Sequence, residues 1–525
     1  MFSLRALRGG SGAAGAGAGL RPCRSKEWRL PSLETLLTSG GGERIALDST
    51  GKNRYGCRAY PDSDLAAWGS STASVISASG YAAAERLYQR LLDRLADTPR
   101  EEVYDVERER VRREVAVLAG IGDMPGLEVM LNPSGTDAHA LASALVRATA
   151  TEPPVVVTIE PSETGRSVPN ALGVPDEFLV GIRVRASDGT PRPTRDIDTE
   201  FAGAVERAVR ARRRVLLVAV DVSKTGLIAP SPGCVCALAE QWPDTVDVLV
   251  DACQFRMSSH TLRSYLEQGF MVAITGSKFV TGPSFSGALL IPASTAHRLQ
   301  EHSVPNAMKE KRGSSILCAR DALMGSTGGA AKFGLLMRWE AALEELRAFR
   351  QVPEAAAASF LSRLADSLHH RFATDPSFEP VASPTPDRGV FSRASSWDRI
   401  ATIHPFMLRH RKELLDATRT AQIHRLLQAE WALPPPLSAG HRGNARYQLG
   451  QPVACGQRRG RPIAALRICA SARLVVLATQ EDGANEGKFI EQAMDALDAV
   501  AELSCITSSV DDEGYRAAMS LAAKL

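Results

Sequence analysis

Two residues of unlike chemistry are delivered to what reads as one edge. Asp251 stands where the mostly apolar, β-branched run Val246–Val250 stops, and Lys278 follows a second apolar run, Met271–Ile274. Short runs of this composition are strands buried on both faces of a parallel sheet. Open α/β sheets form their ligand crevice at the carboxyl ends of such strands. A lysine amine placed there can form a Schiff base. A carboxylate placed there can keep a pyridine nitrogen protonated, so that the ring acts as an electron sink. Taken singly, each residue reads as an ordinary polar group at a strand end. Taken together they point to a pyridoxal 5'-phosphate (PLP) site.

The elements that must position them are legible on both sides. Ser134-Gly135-Thr136-Asp137 opens a helix predicted to run to about Ala148. Small residues ahead of a helix let backbone N–H groups approach an anion, which the helix dipole favours; they would also cap any helix. Val155–Ile159 and Val215–Val220 read as two more buried strands, and 286–292 as another. Tyr81–Leu118 has helical periodicity with a break near Thr98-Pro99, and a long helix is predicted from Ala330 to about Phe349. From Trp28 to about Ser79 the chain is irregular. Asn53-Arg54-Tyr55-Gly56-Cys57 and Ser70-Ser71-Thr72-Ala73-Ser74 read as polar loops there.

With these residues on the page, the chain resembles the fold-type-I PLP enzymes, most nearly the branch of class-V aminotransferases and cysteine desulfurases. The resemblance rests on Asp251-Ala252-Cys253-Gln254, Thr275-Gly276-Ser277-Lys278, Gly282-Pro283 and Ser286-Gly287-Ala288-Leu289, with 27 residues from Asp251 to Lys278. It implies an α/β fold: a PLP-binding large domain with a mainly parallel sheet, plus a small α+β C-terminal domain. The expected boundaries are a leader over 1–26, an N-terminal segment with helices over 27–118, the large domain over 119–325, and the interdomain helix with the small domain over 326–525.

The resemblance also implies roles. Lys278 forms the Schiff base and Asp251 pairs with the pyridine nitrogen. Ser134, Gly135, Thr136, Thr275 and Ser277 hold the cofactor, together with Gln254. Ser223 stands where relatives carry a residue near the ring hydroxyl. Thr327 matches an element that reaches a partner subunit's phosphate, which implies a homodimer. Arg467 matches the arginine that binds the substrate carboxylate; otherwise it would be a surface arginine on an edge strand. Lys224 lies in a turn and lacks the flanking Thr, Ser and Gly-Pro, so Lys278 is preferred. Between Glu160 and Gly165 there is neither histidine nor aromatic residue, so no ring-stacking partner is assigned.

Composition narrows the partners. A net charge of +3 over 525 residues, with basic residues dispersed among acidic ones, gives no support for nucleic-acid binding. The nine cysteines have no CxxC pairs, so neither a disulfide framework nor a metal site is expected. No apolar run approaches the roughly 18 residues that span a bilayer. Residues 1–26 hold Arg5, Arg8, Arg21, Arg24 and Lys26 with no acid, as in a transit peptide, while the Gly/Ala tract 9–19 fits a disordered leader equally. Cytoplasmic and mitochondrial or plastid locations therefore both stand.

The resemblance implies a reaction in which an amino-acid substrate displaces Lys278 from its Schiff base with PLP, the freed lysine then shuttling a proton, in an enzyme of aminotransferase or Cα-lyase/decarboxylase type. A desulfurase would need a nucleophilic cysteine on a mobile loop. Cys455, 12 residues before Arg467 and beside Arg458 and Arg459, is the candidate, with a thiol lowered by those arginines. A non-catalytic paralogue that keeps the fold is the remaining alternative.

Overall fold

The computed structural model describes residues 28–301, 329–429 and 446–509. The leader, Thr327 and the proline run 434–436 lie outside these described residues. The first strand, β1 (Leu65–Trp68), joins a second sheet treated below. The large sheet comprises β2 (Glu128–Asn132), β3 (Val155–Ile159), β4 (Leu179–Ile182), β5 (Val215–Val220), β6 (Val246–Ala252), β7 (Met271–Thr275) and β8 (Gly287–Ile291), in the order β2-β8-β7-β6-β5-β3-β4. Neighbours from β4 through β7 are parallel, while β8 runs antiparallel to both β7 and β2.

Every residue of β3, β5, β6 and β7 is buried, as their continuous apolar runs require of a sheet covered on both faces. The acid inside β6, Asp247, is fully buried. It is tolerated because Arg214 donates to it at 2.6 Å and Arg298 pairs with its other oxygen.

The predicted break at Thr98-Pro99 separates two helices, Ala78–Leu95 and Arg100–Leu118. Proline fits the start of a helix because its missing N–H would have no partner there. Both pack on the long helix Gly329–Arg350, which is buried along most of its length.

The second sheet contains β9 (Phe378–Pro380), β10 (Ile403–His410), β11 (Glu413–Leu414), β12 (Arg446–Arg458) and β13 (Arg461–Cys469). Its order is β1-β12-β13-β10-β11, with β9 on β10. The N-terminal segment thus supplies a strand here, Leu65 to Trp68 pairing in parallel with Arg446 to Leu449. The sheet is covered by the helices Glu354–Thr374, Ala472–Thr479 and Glu486–Ser509 around a core that includes Phe360, Phe372, Phe378 and Phe406.

Two buried arginines fasten this sheet over the carboxyl edge of the large one. Arg388 donates to both oxygens of Asp221 at 2.7 and 2.6 Å, and Tyr265 donates to the same carboxylate at 3.0 Å. Arg256 has no acid. It donates to the carbonyls of Ala470 (2.8 Å) and Thr402 (3.3 Å) and to Ser70 Oγ (2.9 Å), with its guanidinium over the Phe279 ring. Burial without a counter-charge pushes it down to about 10. Among the described residues no helix is long and apolar enough to cross a membrane.

Candidate functional site

A cleft of about 320 Å³ opens where β3, β5, β6 and β7 end, roofed by the second sheet and the N-terminal segment. Ser134, Gly135, Thr136, Ser223, Asp251, Gln254, Thr275, Ser277, Lys278 and Arg467 all line it. Residues as far apart in sequence as 134 and 467 therefore meet in one place. Arg54, Tyr55, Ser71 and Thr72 of the irregular N-terminal stretch line it too.

Asp251 is the next-to-last residue of β6 and is 8% exposed. Its Oδ1 accepts from the backbone N–H of Cys253 and its Oδ2 from Thr164 Oγ1, both at 3.1 Å. His139 Nε2 lies 3.3 Å from Oδ2, close enough for strong attraction but without hydrogen-bond alignment. Burial opposes the carboxylate's charge, yet His139 and Lys278 outweigh it and hold the group well below the usual range. Asp251 in turn raises His139 against the burial that would lower it. The other ring nitrogen of His139 is 2.7 Å from the Gly135 carbonyl, which places an N–H there as donor and orients the ring.

His139 is the site residue that the sequence reading missed. It lies on the buried face of the helix Gly135–Ala148, where a lone histidine looks like a core residue. The available signal was its position five residues after Ser134, one turn into the helix opened by Ser134-Gly135-Thr136. His139, Asp251 and Cys253 also bring ligand-type atoms within 4.8 Å of one another. Burial drives the Cys253 thiol far up, so it stays protonated, and the histidine and carboxylate are drawn together by charge.

Gly135 begins its helix against β6. A Cβ there would come within 2.4 Å of Cys253 Sγ, so only glycine lets the helix start approach this closely. Ser134 Oγ caps the helix by accepting from the Asp137 N–H at 3.4 Å, and it donates to that carboxylate at 2.6 Å. The N–H groups of Gly135 and Thr136, in the first turn, have no intrahelical acceptor, and both residues line the cleft. Thr275 Oγ1 donates to the Cys253 carbonyl at 2.7 Å, tying the ends of β6 and β7 together. No hydrogen bond or ion pair holds Lys278 Nζ among the described residues, whereas Lys224 Nζ donates to the carbonyls of Pro161 and Ser162, each at 3.1 Å.

Three predicted residues reach the cleft with their polar atoms already engaged. Ser223 Oγ donates to Glu163 Oε2 at 2.8 Å and accepts from the Leu227 N–H. Gln254 donates to the Ser71 carbonyl at 3.0 Å and accepts from Arg256. Arg467 donates to the Gln451 carbonyl (2.6 Å), Thr72 Oγ1 (2.9 Å) and the Lys224 carbonyl (3.2 Å), while its Nε has no partner among the described residues. It is buried on β13, an inner strand between β12 and β10, so it is neither a surface nor an edge residue.

Glu163, also buried, takes Arg185 Nε and Thr225 Oγ1 at 2.6 Å each besides Ser223. Val222, between anchored Asp221 and anchored Ser223, is held at φ 63°. Such a conformation costs a β-branched residue about 1–3 kcal/mol and persists only where the surroundings impose it.

Cys455 corrects the expectation of a loop nucleophile. It sits within β12 against Val381, Met407, Ile463 and Ala465, and it is 2% exposed. Burial pushes its thiol up to about 11, overriding Arg185 and Arg467, which act in the other direction. The arginines next to it in sequence do not set its titration.

No family model matches the sequence, and no curated protein does. Solved structures do. The cystine C-S lyase C-DES, solved with its product cysteine persulfide, is 13% identical, with a TM-score of 0.52 over 83% of this chain and 97% of that one. The cysteine desulfurase CsdA from Escherichia coli is 14% identical, with a TM-score of 0.49 over 84% of this chain and 95% of that one. TDC from Oryza sativa, solved with PLP and tryptamine, is 13% identical, with a TM-score of 0.49 over 84% of each chain. At such identity the first likeness establishes the fold alone: the chain has the fold-type-I architecture.

Proposed function

We propose that this chain is a PLP-dependent enzyme acting on an amino acid, of aminotransferase or Cα-lyase/decarboxylase type. The observation that carries the reading is the convergence of Asp251, held ionised beside His139, with Lys278 and the cradle of Gly135 and Thr136 in one cleft. When bound there, PLP supplies an electron sink for the bond broken at the substrate's Cα.

The residues present fit that group. The free N–H groups of Gly135 and Thr136 suit its phosphate, with Ser277 beside them on the cleft wall. Asp251 offers a permanent negative charge to the pyridine nitrogen and keeps a proton on it. Lys278, with no competing partner among the described residues, is the amine that attaches the cofactor and, once released, moves a proton at Cα. Arg467 presents a planar cation to the substrate carboxylate from an inner strand. A homodimer in which Thr327 completes the partner's site belongs to the same proposal.

The burial and raised thiol of Cys455 count against a desulfurase that uses it. Borohydride reduction of PLP-treated protein followed by peptide mass spectrometry tests the reading. The cofactor mass is expected on Lys278, and its appearance on Lys224, or on neither lysine, would overturn the assignment.

A further inference from the structure

The walls of the cleft carry more positive charge than the proposed chemistry uses. Besides Lys278, five cations line it: Arg44, Arg54, Arg166, Lys224 and Arg467. The lining carboxylates are Glu163, which is engaged by Arg185, and Asp251, which faces His139 and is assigned to the pyridine nitrogen, so neither is left for these cations. A PLP phosphate carries about two negative charges and an amino acid brings one α-carboxylate. Two of the five cations are then still without an anion.

Lys224 is the telling one. It is half-buried, and its Nζ spends two of its three donors on the carbonyls of Pro161 and Ser162. Burial and the neighbouring Arg467 push it down to about 8, with Lys278 and Arg166 adding to the effect and Glu163 only partly offsetting it. An ammonium in such surroundings gains from an added anion. Arg166 follows β3 beside it, exposed, and its guanidinium makes no hydrogen bond or ion pair among the described residues. Arg54 is likewise exposed on the cleft lining, and the Arg44 guanidinium lies 5.0 Å over the Phe285 ring.

We infer that Lys224 and Arg166 form a second anion site in the cleft, and that the substrate is an amino acid whose side chain carries its own anionic group, a carboxylate or a phosphate. This rests on the PLP reading above. It narrows the substrate class by charge and leaves the bond to be broken open.

The test uses the cofactor-loaded full chain and three matched pairs: L-aspartate with L-asparagine, L-glutamate with L-glutamine, and O-phospho-L-serine with L-serine. Dissociation constants are measured by calorimetry at pH 7. At least one anionic member should bind on the order of tenfold more tightly than its neutral counterpart, as a partly buried charge-assisted hydrogen bond gives. Which pair responds distinguishes a carboxylate from a phosphate substrate.

The preference should fall toward unity in Lys224→Met and weaken in Arg166→Gln, and Lys224→Arg should retain it. It should also decline as pH rises through about 8, where Lys224 loses its proton in the face of Arg166, Arg467, Lys278 and Glu163. No preference in any pair, or a preference that survives both Lys224→Met and Arg166→Gln, overturns the inference while Lys278 still carries the cofactor. Absence of the cofactor from Lys278 overturns the reading beneath it, and this inference with it.

Discussion

Asp221 and Asp251 close adjacent strands, β5 and β6, and differ in almost everything else. The Asp221 N–H donates to the Asp251 carbonyl at 3.0 Å, so the two are neighbours across the ladder. Asp221 meets Arg388 through two parallel hydrogen bonds and Tyr265 through a third, and its side chain is 1% exposed. Its charge is permanently matched and walled in, and it fastens the two sheets. Asp251 is given His139, a partner that can lose its charge, and one side open to the cleft. An acid at a strand end becomes a fastener or a reactive group according to what is packed against it.

The largest expected effect is on chemistry. Lys278→Ala should fold, retain no borohydride-trapped cofactor and lose all turnover, while Asp221→Asn, where it folds, should still take up cofactor on Lys278. Cofactor retained by Lys278→Ala would break the distinction between the two regions at its centre.

Stability should reverse the ranking. Asp221→Asn leaves the buried Arg388 without the carboxylate it is hydrogen-bonded to, with only the more distant charge of Asp398 to offset it, and should lose about 3–5 kcal/mol in urea unfolding, because a buried ion stripped of its bonded partner keeps most of its desolvation cost. Asp251→Asn should lose only about 1–3 kcal/mol, with turnover down on the order of a hundredfold or more as the charge facing the ring is lost. Equal stability losses in the two variants would mean that Asp251 is a second fastener.

A smaller effect separates the pairs by pH. Asp251 raises His139 above its unfolded value. The stability this contributes is whole below about 6.5, the unfolded value, and fades as pH rises through the folded one. On the acid side, the lowered Asp251 contributes above about 3.9 and loses that contribution as pH falls toward its folded value. Cofactor-free His139→Gln should therefore be less stable than the wild type by about 1–2 kcal/mol near pH 6, and the gap should narrow toward pH 9. A gap that stays constant over that range would show that the histidine acts only through packing.

Smallest of all is Cys455→Ser, which should cost about 1–2 kcal/mol for a hydroxyl in an apolar pocket and leave turnover unchanged. Loss of turnover with the fold intact would restore the desulfurase reading.

The strands were legible because parallel strands covered on both faces leave no polar alternation to interpret. Val155–Ile159 and Val215–Val220 have the same bounds in the sequence reading and in the structure. The break at Pro99 and the helix from Gly135 to Ala148 were legible because backbone chemistry acts locally. The residues expected around the cleft do reach it, apart from Thr327, which is outside the described residues. What they are bonded to was not legible: Ser223 and Gln254 are committed to Glu163 and to the Ser71 carbonyl, partners 60 and 183 positions away.

The sequence by itself determined which segments must be buried, where the chain must turn, and which two residues could share a cofactor. Those follow from local composition and from side-chain types that have little other use at the ends of buried strands. Only the tertiary structure decided what each charge meets. It set His139 against Asp251 across 112 positions, drew Leu65–Trp68 into a sheet otherwise made by the last part of the chain, and buried Cys455 although arginines adjoin it in sequence. Electrostatics and desolvation depend on distance and burial in space, and neither is written in the order of residues.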